Sequence, residues 1–117
     1  MFQESNITIA SGFSELATGL CHGWKIRNMH FLVVGISMPI AKKSAYAAGA
    51  YFQIATLPSN SKYSDYFSAI SIDGSIINGT VFVISANTNK LSAYMSNPIK
   101  NYNATSGLVA IIIYMEA

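Results

Sequence analysis

Apolar and polar residues alternate in short runs along most of this chain, and turn-forming residues interrupt them roughly every 8–12 positions. Asn6 to Ala10 alternates and predicts a first strand. Leu20 to Asn28, around Trp24, predicts another. Met29 to Met38 is a continuous apolar strand ended by Pro39, with Gly35 marking a bulge or a close backbone approach. Ala45 to Thr56 begins Ala-rich, but Tyr51, Phe52, Ile54 and Thr56 suit a pleated surface, so its second half is a strand that stops at Pro58. Tyr63 to Ile72 reads as one strand. Asp73-Gly74 and Asn78-Gly79 are tight turns around a very short strand, since these residue types tolerate positive φ. Thr80 to Ala86 alternates, Asn87 to Lys90 turns, and Leu91 to Met95 returns. A polar stretch from Asn97 to Ser106 precedes the last strand, Gly107 to Glu116, which is apolar on both faces. Such a strand is expected to be covered on both sides, by a second sheet within the subunit and by a neighbouring subunit. The pattern gives about eight or nine short strands, no helix and no internal repeat. That is the signature of one all-β domain over residues 1–117, an antiparallel sandwich or barrel.

Charge changes the picture. Charged residues are only 10% of the 117, against a usual ~25%. Fifteen Ser, nine Asn and six Thr supply neutral polarity instead. Two explanations fit: a monomer with a Ser/Asn/Thr-rich surface, or an oligomer that hides surface in subunit contacts, where charge is depleted. A net charge of +2, with Lys42-Lys43 as the only adjacent basic pair, offers no basic stripe for a nucleic-acid backbone. The longest apolar runs are strand-sized, far short of the ~20 residues of a membrane helix. Membrane insertion is not expected.

Catalytic chemistry finds little material. The five carboxylates are Glu4, Glu15, Asp65, Asp73 and Glu116; two lie near the ends of the chain and Asp73 belongs to its turn. A glycosidase needs two carboxyl groups at a defined separation, and only Asp65 with Glu15 is left. No nucleophile elbow accompanies His22 or His30. Cys21, the sole cysteine, reads as a small buried apolar side chain, and its neighbour His22 points to the opposite face of a strand. No metal, cofactor or enzymatic activity is expected. Binding has better material. Sugar sites combine flat apolar faces with a few fixed polar groups. Lys62-Tyr63-Ser64-Asp65-Tyr66 offers two rings and a charged acceptor in one segment, and Asn97 to Asn103, with Tyr102, offers a second. Trp24 is expected in the core.

The order of strands supplies an identity. A Trp-bearing strand, a hydrophobic strand, the phrase Ile54-Ala55-Thr56-Leu57-Pro58, a Tyr-rich strand, the phrase Ile72-Asp73-Gly74 and a last strand ending at Tyr114 resemble the head domains of bacteriophage tail-fibre and baseplate receptor-binding proteins. The resemblance covers roughly residues 20–115. Ser59-Asn60-Ser61-Lys62-Tyr63-Ser64 departs from the family's usual run after the Pro, where Gly-Tyr-Arg-Pro often stands. The resemblance implies a jelly-roll-like head, a homotrimer, other tail or baseplate proteins as neighbours, a virion location, and attachment to bacterial cell-surface saccharides. It adds Trp24, His22 and Arg27, as ring and charged groups near subunit boundaries, to the ligand-binding candidates Tyr63, Asp65, Tyr66, Tyr102 and Asn103. Two alternatives stand beside it: a structural trimeric knob or baseplate component without a sugar site, and a free-standing lectin-like trimer.

Overall fold

The structure is a computed structural model that describes residues 2–4, 7–37, 49–72, 80–95 and 107–117. Among the described residues it contains ten strands and no helix. They are β1 (Phe2–Glu4), β2 (Thr8–Ile9), β3 (His22–Ile26), β4 (Met29–Ser37), β5 (Ala50–Thr56), β6 (Asp65–Ser68), β7 (Ile70–Ile72), β8 (Thr80–Ile84), β9 (Lys90–Met95) and β10 (Gly107–Met115). Two five-stranded antiparallel sheets result, in the orders β1-β3-β4-β10-β7 and β2-β5-β9-β8-β6. The pairing is nested: β4 with β10, β5 with β9, β6 with β8. A long ribbon folded over itself in this way is the jelly-roll-like winding of a sandwich.

Alternation decides which face of each strand is buried. In β4, His30, Leu32, Val34 and Ile36 point inward; in β10, Leu108, Ala110, Ile112 and Tyr114 do. They meet Phe82, Ile84, Leu91 and Ile54 from the second sheet in one core. At ~1.5–3 kcal/mol for each large side chain fully buried, this layer is the main favourable term in folding. In β5 the pairing slips between Gln53 and Ala55, so Ile54 is an extra residue in the ladder. The bulge turns both Ile54 and Ala55 into the core, which strict alternation forbids.

Three sequence expectations are corrected. Tyr63–Ile72 is not one strand: it leaves the second sheet at Ser68 and enters the first at Ile70, so β6 and β7 belong to different sheets. The Asn6–Ala10 run supplies only the two residues of β2, and β1 precedes it unannounced. Trp24 is not core but 43% exposed, because it alternates out of step with the buried Gly23. Of the two covered faces expected for β10, the second sheet supplies one; on the other, Ile111 is 65% and Ile113 44% exposed. The expectations for Pro39, Lys42-Lys43, Asp73-Gly74, Asn78-Gly79 and the 97–106 stretch lie outside the described residues.

Two glycines are required by close approach. A Cβ on Gly35 would run into the side chain of Leu20, which lies over the outer face of β4 there. A Cβ on Gly23 would fall onto the backbone oxygen of Phe31 and 2.7 Å from Leu32 Cα, across the β3–β4 pairing. Because backbone cannot step aside as a side chain can, Gly23→Ala is expected to destabilise the domain by ~1–3 kcal/mol or more. Denaturant unfolding of the two proteins measures it, and a midpoint unchanged from the parent would show that β3 and β4 separate freely at this position.

Candidate functional site

The segment after Pro58 closes one end of the sandwich. Leu57 N donates to Asn89 O at 2.7 Å and Ser61 N to Thr88 O at 2.8 Å, which ties the segment to the β8–β9 turn. Lys62 N donates to Met115 O at 2.7 Å and Ala117 N to Asn60 O at 2.9 Å, which ties it to the end of β10. Ser61, buried between these two sets of bonds, donates its hydroxyl to Tyr63 O at 2.6 Å. The segment is a strap with its backbone held on both sides, and its far end carries Tyr63 and Asp65.

Under the strap lies a polar cluster. His30 is only 1% exposed, and its ring stacks on Tyr114 with centroids 4.5 Å apart and planes 8° from parallel. His30 Nε2 lies 2.8 Å from Glu116 Oε1 and 3.0 Å from Ser59 Oγ. Lys25 Nζ reaches the same Glu116 oxygen at 2.7 Å. Tyr114 donates its hydroxyl to Ser59 O at 3.2 Å and accepts from Ser59 N at 3.3 Å. Serine, histidine and carboxylate together suggest a nucleophile, but the geometry is wrong for one. In a serine triad the hydroxyl and the acid sit on opposite ring nitrogens, so that one nitrogen takes the serine proton while the other is held by the acid. Here both address Nε2. The carboxylate makes Nε2 the proton-bearing nitrogen, and a donor cannot take a proton from Ser59. The cluster clamps the strap to the first sheet. Sequence reasoning set Glu116 aside as terminal and gave His30 no carboxylate; β10 is long enough to bring Glu116 back to the β3–β4 turn, where Glu116 N donates to Asn28 O at 2.8 Å.

Beside the strap a shallow groove of about 190 Å³ opens, lined by Met29, Ser61, Tyr63, Asp65, Ile113, Tyr114 and Met115. Two of the eight ligand-binding candidates, Tyr63 and Asp65, therefore share one site, with methionine and isoleucine side chains that sequence reasoning did not single out. Tyr63 is 59% exposed, and Lys62 Nζ sits 5.7 Å from the centre of its ring. Asp65 Oδ1 accepts from Tyr66 N at 2.8 Å, which fixes the carboxylate at the strand start. Tyr66 is exposed on β6 but does not line the groove. Trp24 and His22 stand on the outer face of β3, and Arg27 is exposed in the β3–β4 turn with φ of 52°. Tyr102 and Asn103 lie outside the described residues.

Cys21 is buried and donates to Gly35 O at 3.3 Å; burial pushes its thiol above the ordinary range, away from a reactive thiolate. The His22 ring is engaged by Leu20 O at 3.0 Å. Among the described residues no group of three His, Cys, Asp or Glu side chains could hold a metal ion, and no helix is long and apolar enough to cross a membrane. No protein family, curated protein or solved structure matched the chain.

The clamp titrates. The hydrogen bond from Lys25, and then that from His30, holds the Glu116 carboxyl below its ordinary value of 4.5. A carboxyl lowered in the folded state contributes stability that is full above the ordinary value and lost as pH falls through the folded one. Melting temperature is therefore expected to drop on acidification below about pH 4.5, with part of the drop missing in Glu116→Gln, which should also melt lower than the parent at pH 7. Thermal scans from pH 7 to pH 3 compare the two; parallel curves would remove Glu116 from the account.

Proposed function

We propose that the chain is the non-catalytic receptor-binding head of a bacteriophage tail fibre or baseplate, a homotrimer that attaches the virion to saccharides on the bacterial surface beside other tail or baseplate proteins. The observation that carries the reading is the groove that Tyr63 and Asp65 line together with Met29, Ile113 and Met115. A sugar has an apolar face of C–H groups and a rim of hydroxyls. The ring and the methionines suit the first, and a fixed carboxylate accepts from two adjacent hydroxyls. A groove this shallow supports weak binding at each site. Several heads acting together turn weak sites into firm attachment through effective concentration. The strand order described above adds the likeness to phage heads.

A second reading is a structural knob without a sugar site, which registers three chains or caps a baseplate. The exposed apolar residues Ile111 and Ile113 of β10 serve a knob as they serve a head, since both readings have subunit contacts, and a knob needs no groove.

The saccharide reading predicts a loss of affinity of ~1–3 kcal/mol for Tyr63→Ala and for Asp65→Asn, the usual range for a removed anchor or buried hydrogen bond. Tyr66→Ala is expected to cost less, because Tyr66 stands outside the groove. A glycan array with equal display density, followed by labelling of candidate host cells, measures all three. A parent protein that binds no glycan and labels no cells would hand the case to the structural knob.

A further inference from the structure

The groove beside the strap is one-sided in its hydrogen bonding. Among the described residues that line it, Asp65 alone is charged. Its carboxylate is exposed, accepts from Tyr66 N on Oδ1 at 2.8 Å, and forms no ion pair among the described residues. Two hydroxyls of the lining are already committed. Ser61 donates to Tyr63 O at 2.6 Å, and Tyr114 donates to Ser59 O at 3.2 Å. The thioethers of Met29 and Met115 accept weakly and donate nothing. Apart from the Tyr63 hydroxyl, the described side chains of the groove therefore offer a ligand acceptors and no donor.

We infer that the ligand of this groove is a saccharide with a protonated amine, an amino sugar whose nitrogen is not acetylated, an assignment that rests on the saccharide reading and names its ligand. A neutral sugar brings hydroxyls that both donate and accept, and this lining satisfies only the donating half. An acidic sugar brings a second negative charge against Asp65. An ammonium is a donor only, with three N–H groups and a full positive charge. It suits a carboxylate that has acceptor capacity beyond the one bond from Tyr66 N, and such charge-assisted bonds are roughly twice as strong as neutral ones. The C–H groups around the amine suit the methionines, and a tyrosine ring attracts the cation through its face. The Tyr63 ring already has that role: Lys62 Nζ lies 5.7 Å from its centre, inside the ~6 Å reach of a cation–π contact. Lys62 does not line the groove, and as a like charge it opposes an ammonium ligand, which fixes the sign of its removal.

The probes are oligosaccharides of glucosamine, galactosamine and mannosamine, each beside its N-acetyl form of the same length and linkage, with a uronic acid oligosaccharide as the anionic control. Acetylation removes the charge and two of the three donors. Binding to the full chain is read from the methyl signals of labelled methionines, because Met29 and Met115 line the groove. The pH is held below the amine's own pKa, fixed by titration of the free sugar. The parent is expected to bind at least one amine form about tenfold more tightly than its N-acetyl form, through the ion pair and the ring together. That preference should shrink as salt is added. Asp65→Asn keeps an acceptor for Tyr66 N, and with it the local fold, but should erase the preference. Lys62→Met should strengthen binding of the amine form about two- to threefold, since it removes a like charge beside the ring. A parent that binds the N-acetyl forms or the uronic acid as tightly as the amine forms overturns the inference and leaves the saccharide reading standing. So does an Asp65→Asn protein that keeps the whole preference, or a Lys62→Met protein that binds the amine form more weakly. A parent that binds none of these sugars overturns the inference, and failure on every other glycan as well removes the saccharide reading with it.

Discussion

The strap from Leu57 to Tyr63 is the constraint on which the rest of this structure depends. A sandwich of two twisted sheets is open at its ends, and an open end admits water to the core and leaves backbone groups to be satisfied. Here one segment bridges the two sheets, taking bonds from the β8–β9 turn on one side and from the end of β10 on the other. Pro58 fixes the direction in which the chain leaves β5, and Ser61 is buried between the two sets of bonds. The buried His30 gives the strap a polar anchor that the apolar core cannot give, holding Ser59 while its ring packs on Tyr114. Tyr63 and Asp65 stand where they do because the residues before them cannot move independently of either sheet.

Much of this was legible in the alternation of the sequence, and the exceptions have physical reasons. β4, β8, β9 and β10 follow from strand-sized apolar runs, but β4, β8 and β10 are apolar on both faces, so which of the two carries the core at Leu32, Val34, Phe82, Ile84, Leu108 and Ile112 was decided by the fold. The division of Tyr63–Ile72 was not legible, because the crossing between sheets at Ala69 carries no Gly or Pro to announce it. Trp24 was misplaced because a large ring reads as core whichever face it is on; the deciding residue is Gly23, which is buried for lack of room rather than for hydrophobicity. At the site, Tyr63 and Asp65 were legible as a polar-aromatic cluster within five residues of sequence. The other wall of the groove was not, since Met29 and Met115 are brought to Tyr63 only by the fold. The contact of His30 with Glu116 spans 86 residues and has no local signal at all.

The scarcity of charge and the exposure of the first sheet have a common cause in this reading. A strand apolar on both faces is unfavourable in a monomer: the ~25 cal/mol per Å² gained by hiding apolar surface is forgone on the outer face. Such a face also favours unwanted association, and natural sheets guard against that with lysines and inward-pointing charges. No Lys, Arg, Asp or Glu stands in register with Phe31 and Ile113 among the described residues. The chain does place charge immediately outside them. That distribution fits a surface that is covered by design and bounded at its edge.

The groove and the face are not independent, since Met29, Ile113 and Met115 belong to both. Tyr63 and Asp65 form the outer wall of the groove, and the three apolar side chains are its floor and the margin of the sheet. A copy seated on the face would therefore touch the same three side chains. It would hold the methionines, the most adaptable side chains of the set, in fewer rotamers than in the single chain. Ordering a floor before the ligand arrives removes part of the entropy that binding must overcome. The clamp of His30, Glu116 and Ser59 is placed where a rigid wall is needed.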